Sequence, residues 1–269
     1  MKVTTTVRPV RAPAHPPKRK ELVARLESNW RATWTAMVPA VEGGSIKPIH
    51  RGLLVRTGLP ISFLNTGFVD AGVRRPDRVV AAAESYFAGL PFSVLVREDD
   101  VDLALACENA GLGCVETLPG MALTPIPVAD VDPRLTIEPL TRDLLGVCRD
   151  VFCEGFGVPL DVGARMITHD YLECEGVYDV VAFVDDEPVA IATSFESMGV
   201  AGVYNVATLP RHRGNGYGDA VTWSVIQAAK SRGCHTATLQ STEMGFPVYR
   251  RMGFEVVSRY SCYTNDPRA

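Results

Sequence analysis

The sequence predicts a mixed α/β protein built from two units, on three observations. Its 269 residues suit two domains of about 100–150 residues better than one. Short runs of strand character alternate with segments of helical period along most of the chain. The order helix, glycine stop, strand, helix, glycine stop, strand occurs in each half, so a duplicated unit is expected. With 46% hydrophobic and 22% charged residues, the chain can fill two cores, which excludes a disordered or collagen-like chain.

The elements follow in order. Residues 1–20 carry six basic and no acidic side chains, with Pro9, Pro13, Pro16 and Pro17. They lack the apolar stretch of a secretory signal and read as a flexible tail. Trp30 and Trp34 are four apart on a predicted helix, which places them in the core of the first half. A helix over 75–88 stops at Gly89, a strand covers 92–97, a helix over 101–110 stops at Gly111, and a strand covers 115–123. Residues 123–134 hold Pro125, Pro127 and Pro133 and read as a linker. The boundary falls near Asp132, giving units 21–132 and 133–269.

The second unit opens with a strand around Ile137. Leu144, Leu145, Val147, Cys148, Val151 and Phe152 recur at helical spacing, and a second helical stretch covers 162–174. Strands are expected over 178–185, 189–196 and 202–209, the first two joined by a tight turn at Asp186-Glu187. A helix over 218–232 ends at Gly233, a strand covers 235–240, a short helix over 245–252 stops at Gly253, and a strand over 255–263 follows. Gly233 and Gly253 are 20 residues apart, against 22 for Gly89 and Gly111.

Charge and cysteine usage exclude several function classes. The formal charge is −4, a poor basis for neutralising a phosphate backbone, so nucleic acid is not an expected partner. No apolar run reaches the roughly 18–20 residues of a membrane span. The seven cysteines are scattered with no CxxC pair, so neither a disulfide framework nor a zinc site is indicated. They read as buried thiols of a protein in the reducing cytoplasm. His50, His169, His212 and His235 lack ligand spacing, and no metal is expected. Residues 170–196 hold eight acidic and no basic side chains. They read as a solvated face, or else as a field that draws in a cationic amine.

Residues 206–218, VATLPRHRGNGYG, follow a strand, open a helix and hold three glycines. Such a loop can turn successive amides toward an anion, with the positive end of the helix dipole behind them. A bare glycine-rich turn has the same composition. The GxxxxGK[ST] pattern is absent, and Gly214, Gly216 and Gly218 do not make the GxGxxG dinucleotide fingerprint.

The segment instead resembles the GNAT superfamily of acyl-CoA-dependent N-acyltransferases. Arg213, Gly216 and Gly218 match its Q/R-x-x-G-x-G/A signature, preceded by a V-x-x-x-P turn at Val206 and Pro210. Tyr249, Gly253 and Phe254 match its downstream Y-x-x-x-G-F. The resemblance is strongest over residues 202–254 and extends over 134–263. It implies two GNAT-like domains, each a twisted, mostly antiparallel sheet flanked by helices. The first is a degenerate copy, because residues 65–79 hold Gly67 and Gly72 but no anion loop.

The same resemblance implies acetyl-CoA as co-substrate. Arg213, Gly214, Asn215, Gly216, Tyr217, Gly218 and Asp219 hold its pyrophosphate, with Arg211 nearby. Val206, Ala207 and Thr208 take its arm along the splayed strand and offer an oxyanion donor. Acetyl then passes to a primary amine of a small molecule or peptide by direct attack through a tetrahedral intermediate. Tyr249 matches the usual general acid. The base is open: the strand before the loop has no Glu, Glu196 is the nearest carboxylate, Glu243 the next, and a water chain serves as well. Arg250 and Arg251 are further phosphate candidates, and a homodimer is left open. The rival is a non-catalytic acyl-CoA-binding or regulatory module.

Overall fold

The fold is organised by a single 11-stranded sheet into which both halves of the chain are woven. The computed structural model describes residues 17–129, 132 and 134–266. The expected tail lies outside these residues up to position 16, and residues 19 and 20 already belong to the first helix. The first half supplies α1 (Arg19–Met37), β1 (Ser45–Ile49), β2 (Gly52–Arg56), β3 (Asn65–Val69), α2 (Pro76–Tyr86), β4 (Ser93–Arg97), α3 (Val101–Asn109) and β5 (Gly113–Leu123). The second supplies β6 (Thr136–Pro139), α4 (Leu145–Phe156), α5 (Leu160–Met166), α6 (His169–Leu172), β7 (Val177–Val184), β8 (Glu187–Ser197) and β9 (Val200–Thr208). It continues with α7 (Tyr217–Ser231), β10 (Thr236–Gln240), α8 (Phe246–Arg251) and β11 (Glu255–Thr264).

The strand order is β1-β2-β3-β4-β11-β5-β10-β9-β8-β7-β6. Pairing is antiparallel except for β3 with β4 and β9 with β10. Those two parallel pairs are each bridged by a helix, α2 and α7. With β6 set aside at one edge, matching β1–β5 of the first half to β7–β11 of the second makes the order a palindrome about the β5–β11 pair. The duplication therefore shows in topology, with one departure: the final strands are exchanged. β5 lies between β10 and β11, and β11 lies between β4 and β5.

Helices cover both faces, as the apolar stripes of a mixed α/β chain require. On one face, Val225 of α7 packs in a cluster with Val180, Ala192, Val203, Leu239 and Phe254. On the other, Cys148 and Phe152 of α4, Val162 of α5 and Tyr171 of α6 pack on Ile191 and Ala207 of the sheet. The expected 162–174 helix is broken in two, because Thr168 takes extended backbone and its hydroxyl caps α6 at the Tyr171 N–H. The stretch read as a linker is docked at its start: Ile126 is buried and its N–H donates to the His235 carbonyl. The thiols are free, and five are buried as expected; Cys174 is half-buried and Cys114 is exposed. Among the described residues, no helix is long and apolar enough to cross a membrane.

α1 ties the halves together. Trp30 meets Phe68 and Tyr260 edge to face, with ring centroids 5.2 and 5.5 Å away. Thus Trp30 is core, as its spacing suggested, and Trp34 is partly buried against both the α1 cluster and the α4–α6 cluster. Next to Trp30 on α1, Asn29 donates from Nδ2 to the carbonyls of Phe195 and Val200 and to Ser197 Oγ. Its Oδ1 accepts from the Tyr204 hydroxyl at 2.7 Å.

Candidate functional site

The second half contains an opening in the sheet where β9 and β10 part. β10 pairs with β9 only from Thr236 to Thr238, opposite Val200 to Gly202. Leu239 and Gln240 pair only with β5, so β9 from Val203 to Thr208 has no strand neighbour on that side. A bulge in β9 contributes to the parting. Between the pairs Ile191–Ala207 and Thr193–Tyr204, β8 advances two residues while β9 advances three. The extra residue takes up a left-handed turn at Asn205, with φ of 50°. A bulge of this kind bends the strand and re-aims the peptide groups beside it, here those of Val206 and Ala207.

The glycine-rich loop lies at the end of this opening. After Thr208 the chain makes one 3-10 turn at Pro210–His212 and enters α7 at Gly216. Gly214 and Gly216 have φ of 82° and 84°, and nothing lies within 4 Å of where a Cβ would stand on either. Glycine accommodates that backbone without strain, and the space beside it stays open. Gly218 faces Thr208 Oγ1, leaving little room for a larger residue. The first amides of α7 have no side-chain cap, so the loop meets the positive end of a 15-residue helix whose leading N–H groups are available to a ligand.

The loop's polar side chains mostly bond to the protein. Arg213 reaches back to the carbonyls of Gly155, at 3.0 Å, and Thr208. It braces the loop against the end of α4. Asn215 donates to the carbonyl of His212 and folds the turn. Arg211 sits between Glu154 and Glu187, and His212 also contacts Glu187; these partners hold the Glu187 carboxyl below its usual range. Tyr217 begins α7 near the His212 ring. Asp219, in the first turn of α7, has its pKa raised by burial, with Arg251 pulling the other way. Arg250 is bonded to the Phe254 carbonyl. A groove of about 590 Å³ between α4, α5 and this turn shares Leu209 and Arg211 with the loop.

Tyr249 lies on α8 with its ring against Phe254. Burial pushes its phenol up to about 12, and a hydrogen bond with Thr222 opposes the rise. Thr222 donates to the Gly218 carbonyl, so the phenol stands over the first turn of α7, beside the loop. The structure thereby brings together Val206, Ala207, Thr208, Arg213–Asp219 and Tyr249.

Glu196 lies elsewhere. It pairs with Ala201, at the opposite end of the β8–β9 ladder from Ala190–Thr208, and its carboxylate is held by Arg232. The acidic run does not form one solvated face either. Glu187 and Glu196 are in ion pairs, and Asp179 is buried. Sequence reasoning also missed Gln240 and Thr238 on β10. Gln240 Nε2 and Thr238 Oγ1 are buried without a hydrogen-bond partner, on the strand that borders the opening.

The first half keeps the parallel strand pair but not the opening. Trp30, Phe68 and Tyr260 fill the corresponding place and leave about 10 Å³. Its β3–α2 turn is satisfied internally: the Gly72 N–H donates to the Asp100 carboxylate at 2.8 Å, which also caps α3 at Leu103.

Among the described residues, no group of three His, Cys, Asp or Glu side chains is placed to hold a metal. The site thus combines a glycine loop at a helix N-terminus with a parted parallel strand pair. Residues 149–254, within the second half, match the model of the acetyltransferase (GNAT) family. The chain is 32% identical over 60 residues to a glucosamine 6-phosphate N-acetyltransferase of Trypanosoma brucei brucei, a match spanning 22% of this chain and 41% of that protein. The chain thus covers less than half the length of this curated relative. The whole fold resembles a GCN5-related N-acetyltransferase from Kribbella flavida, with a TM-score of 0.68 and 19% identity over 91% of this chain and 95% of the other. It also resembles a tandem GNAT protein from the clavulanic acid biosynthesis pathway, with a TM-score of 0.55 and 14% identity over 93% and 96%.

Proposed function

We propose that the protein is an acetyl-CoA-dependent N-acetyltransferase acting on a primary amine of a small molecule or peptide. The working site lies in residues 133–269, and residues 21–132 form a degenerate copy. The observation that carries this reading is the junction of the bulged, unpaired edge of β9 with the open glycine loop at the start of α7. The two surfaces together suit a ligand with an extended amide-bearing arm and a diphosphate: the strand edge offers alternating N–H and C=O groups, and the loop offers convergent N–H groups. Acetyl-CoA has both parts and supplies the acetyl group as an activated thioester.

In this reading the chain's own groups do four things. The loop amides of residues 213–219 hold the diphosphate, with Arg213 acting as a brace. The edge of β9 aligns the arm, and an N–H of Val206 or Ala207 donates to the developing oxyanion. Gln240 Nε2, buried and unpaired, gives the acceptor a hydrogen-bond donor. Tyr249 Oη remains protonated well above neutral pH and gives its proton as negative charge builds on the leaving sulfur. An ammonium cannot attack until it loses a proton, because its ordinary pKa is about 10.4. With Glu196 paired to Arg232, that proton leaves through water.

Measuring thiol release from acetyl-CoA over a panel of primary amines tests this reading. Release that depends on one amine class, with stoichiometric N-acetyl product, is expected. Coenzyme A binding without release for any amine would favour a regulatory module instead.

A further inference from the structure

We infer that Asp179 and Thr193 are positioning residues that hold Asn205 in the left-handed turn shaping the β9 bulge. The inference rests on the acetyltransferase reading for its kinetic consequence and on geometry alone for its structural one.

The three residues form a directed chain across β7, β8 and β9. Asp179 and Thr193 are cross-strand partners, as are Thr193 and Tyr204, the residue before Asn205. Both Asp179 and Thr193 are buried. The Thr193 hydroxyl donates to Asp179 Oδ1, and the Tyr171 hydroxyl donates to the same oxygen at 2.8 Å. With its single proton committed to Asp179, Thr193 Oγ1 can only accept from other partners. It does so from Asn205 Nδ2 at 3.2 Å. The carboxyl thus fixes the polarity of the hydroxyl, and the hydroxyl fixes the side-chain amide of the bulge residue.

Asn205 needs such an anchor. Its φ of 50° lies in a region that residues with a Cβ seldom occupy, although Asn tolerates it better than most. Glycine would hold the turn without any side-chain tie, whereas this sequence uses Asn and a buried relay. The relay lies on the sheet face under α6, and its members need not touch the ligand. Its effect passes through the peptide groups that follow Asn205, those of Val206 and Ala207.

The test compares Thr193→Val, which removes the hydroxyl at nearly constant shape, with Thr193→Val/Asn205→Gly. NMR carbon shifts at residue 205 report the left-handed conformer without reference to activity. In Thr193→Val that conformer should be depleted, with kcat reduced about tenfold and the KM for acetyl-CoA changed less than threefold. Glycine at 205 should recover at least half of the lost kcat on a logarithmic scale. An unchanged residue 205 signal in Thr193→Val would overturn the relay whatever the enzyme does. A kcat loss that glycine does not recover would mean general core damage and refute positioning through Asn205. If the parent shows neither coenzyme A binding nor turnover while the 205 signal responds as expected, the relay stands and the acetyltransferase reading fails.

Discussion

Gly202 is the position where one added methyl should be felt most. A Cβ there would stand 1.9 Å from Asn29 Oδ1 and 2.6 Å from the Tyr204 ring and hydroxyl. Asn29 is fully buried on α1 and cannot retreat without giving up its bonds to Phe195, Ser197, Val200 and Tyr204. Each buried polar group left unpaired costs about 1–3 kcal/mol. Two such groups plus the repacking put Gly202→Ala at about 3–5 kcal/mol, a large share of the roughly 5–15 kcal/mol that holds an ordinary domain together. Urea unfolding followed by far-UV circular dichroism should show the midpoint falling with little change in slope. Asn29→Ala removes the obstructing oxygen together with its bonds. The double variant should therefore be scarcely worse than the worse single one, a coupling of more than 1 kcal/mol. A Gly202→Ala loss under about 0.5 kcal/mol, or full additivity with Asn29→Ala, would refute the packing argument.

Gly216→Val forces a β-branched residue to φ of 84° and aims its side chain into the open space of the loop. Calorimetry on the folded variant should show coenzyme A affinity at least tenfold weaker, and a change within threefold would separate the loop from the ligand. Tyr249→Phe keeps the ring packing on Phe254; kcat should fall by about 10²–10³ with acetyl-CoA binding and Tm nearly constant. Unchanged turnover, with chemistry rate-limiting, would leave water as the proton source. Burial raises Asp179 to about 6, so the folded state favours its protonated form. Its contribution to stability is complete below pH about 4 and is lost as pH rises through about 6. The stability of the parent relative to Asp179→Asn should decline across that window by about 2–3 kcal/mol, and a flat difference would contradict this. Residues 134–269 expressed alone lack β5, the strand between β10 and β11. That fragment should give no cooperative unfolding transition, and a sharp one would show β5 to be dispensable.

Much of the candidate site's geometry was legible because it is local. The spacing of Arg213, Gly216 and Gly218 predicted a turn into a helix, and α7 begins at Tyr217. Gly89, Gly111, Gly233 and Gly253, each at positive φ, marked helix ends within a few residues. What could not be read was pairing between distant segments. The alternation of 115–123 and 255–263 identifies strands but carries nothing about their neighbours, so the exchange of β5 and β11 was invisible. The same limit hid Asp179. In sequence it was one acid in a run of eight; only the cross-strand register joins it to Thr193 and Asn205. Glu196 misled for the converse reason: it is near β9 in sequence, but the antiparallel ladder sets it opposite Ala201, at the far end from Thr208.

The exchange of final strands also sets the order in which the molecule can be completed during its synthesis. β4 lies next to β11, more than 150 residues later in the chain. β5 must wait for β10 before its outer edge is covered. Through most of translation, then, the earlier-made portion carries exposed edges on β4 and β5 with no partner yet in existence. Contacts of such high sequence separation slow folding, and unpaired edges invite pairing with other nascent chains. Glu98, Asp99 and Asp100, charged residues directly after β4, stand at one end of that waiting edge. Ribosome-bound chains stopped before residue 255 should therefore be far more protease-sensitive than chains released after it.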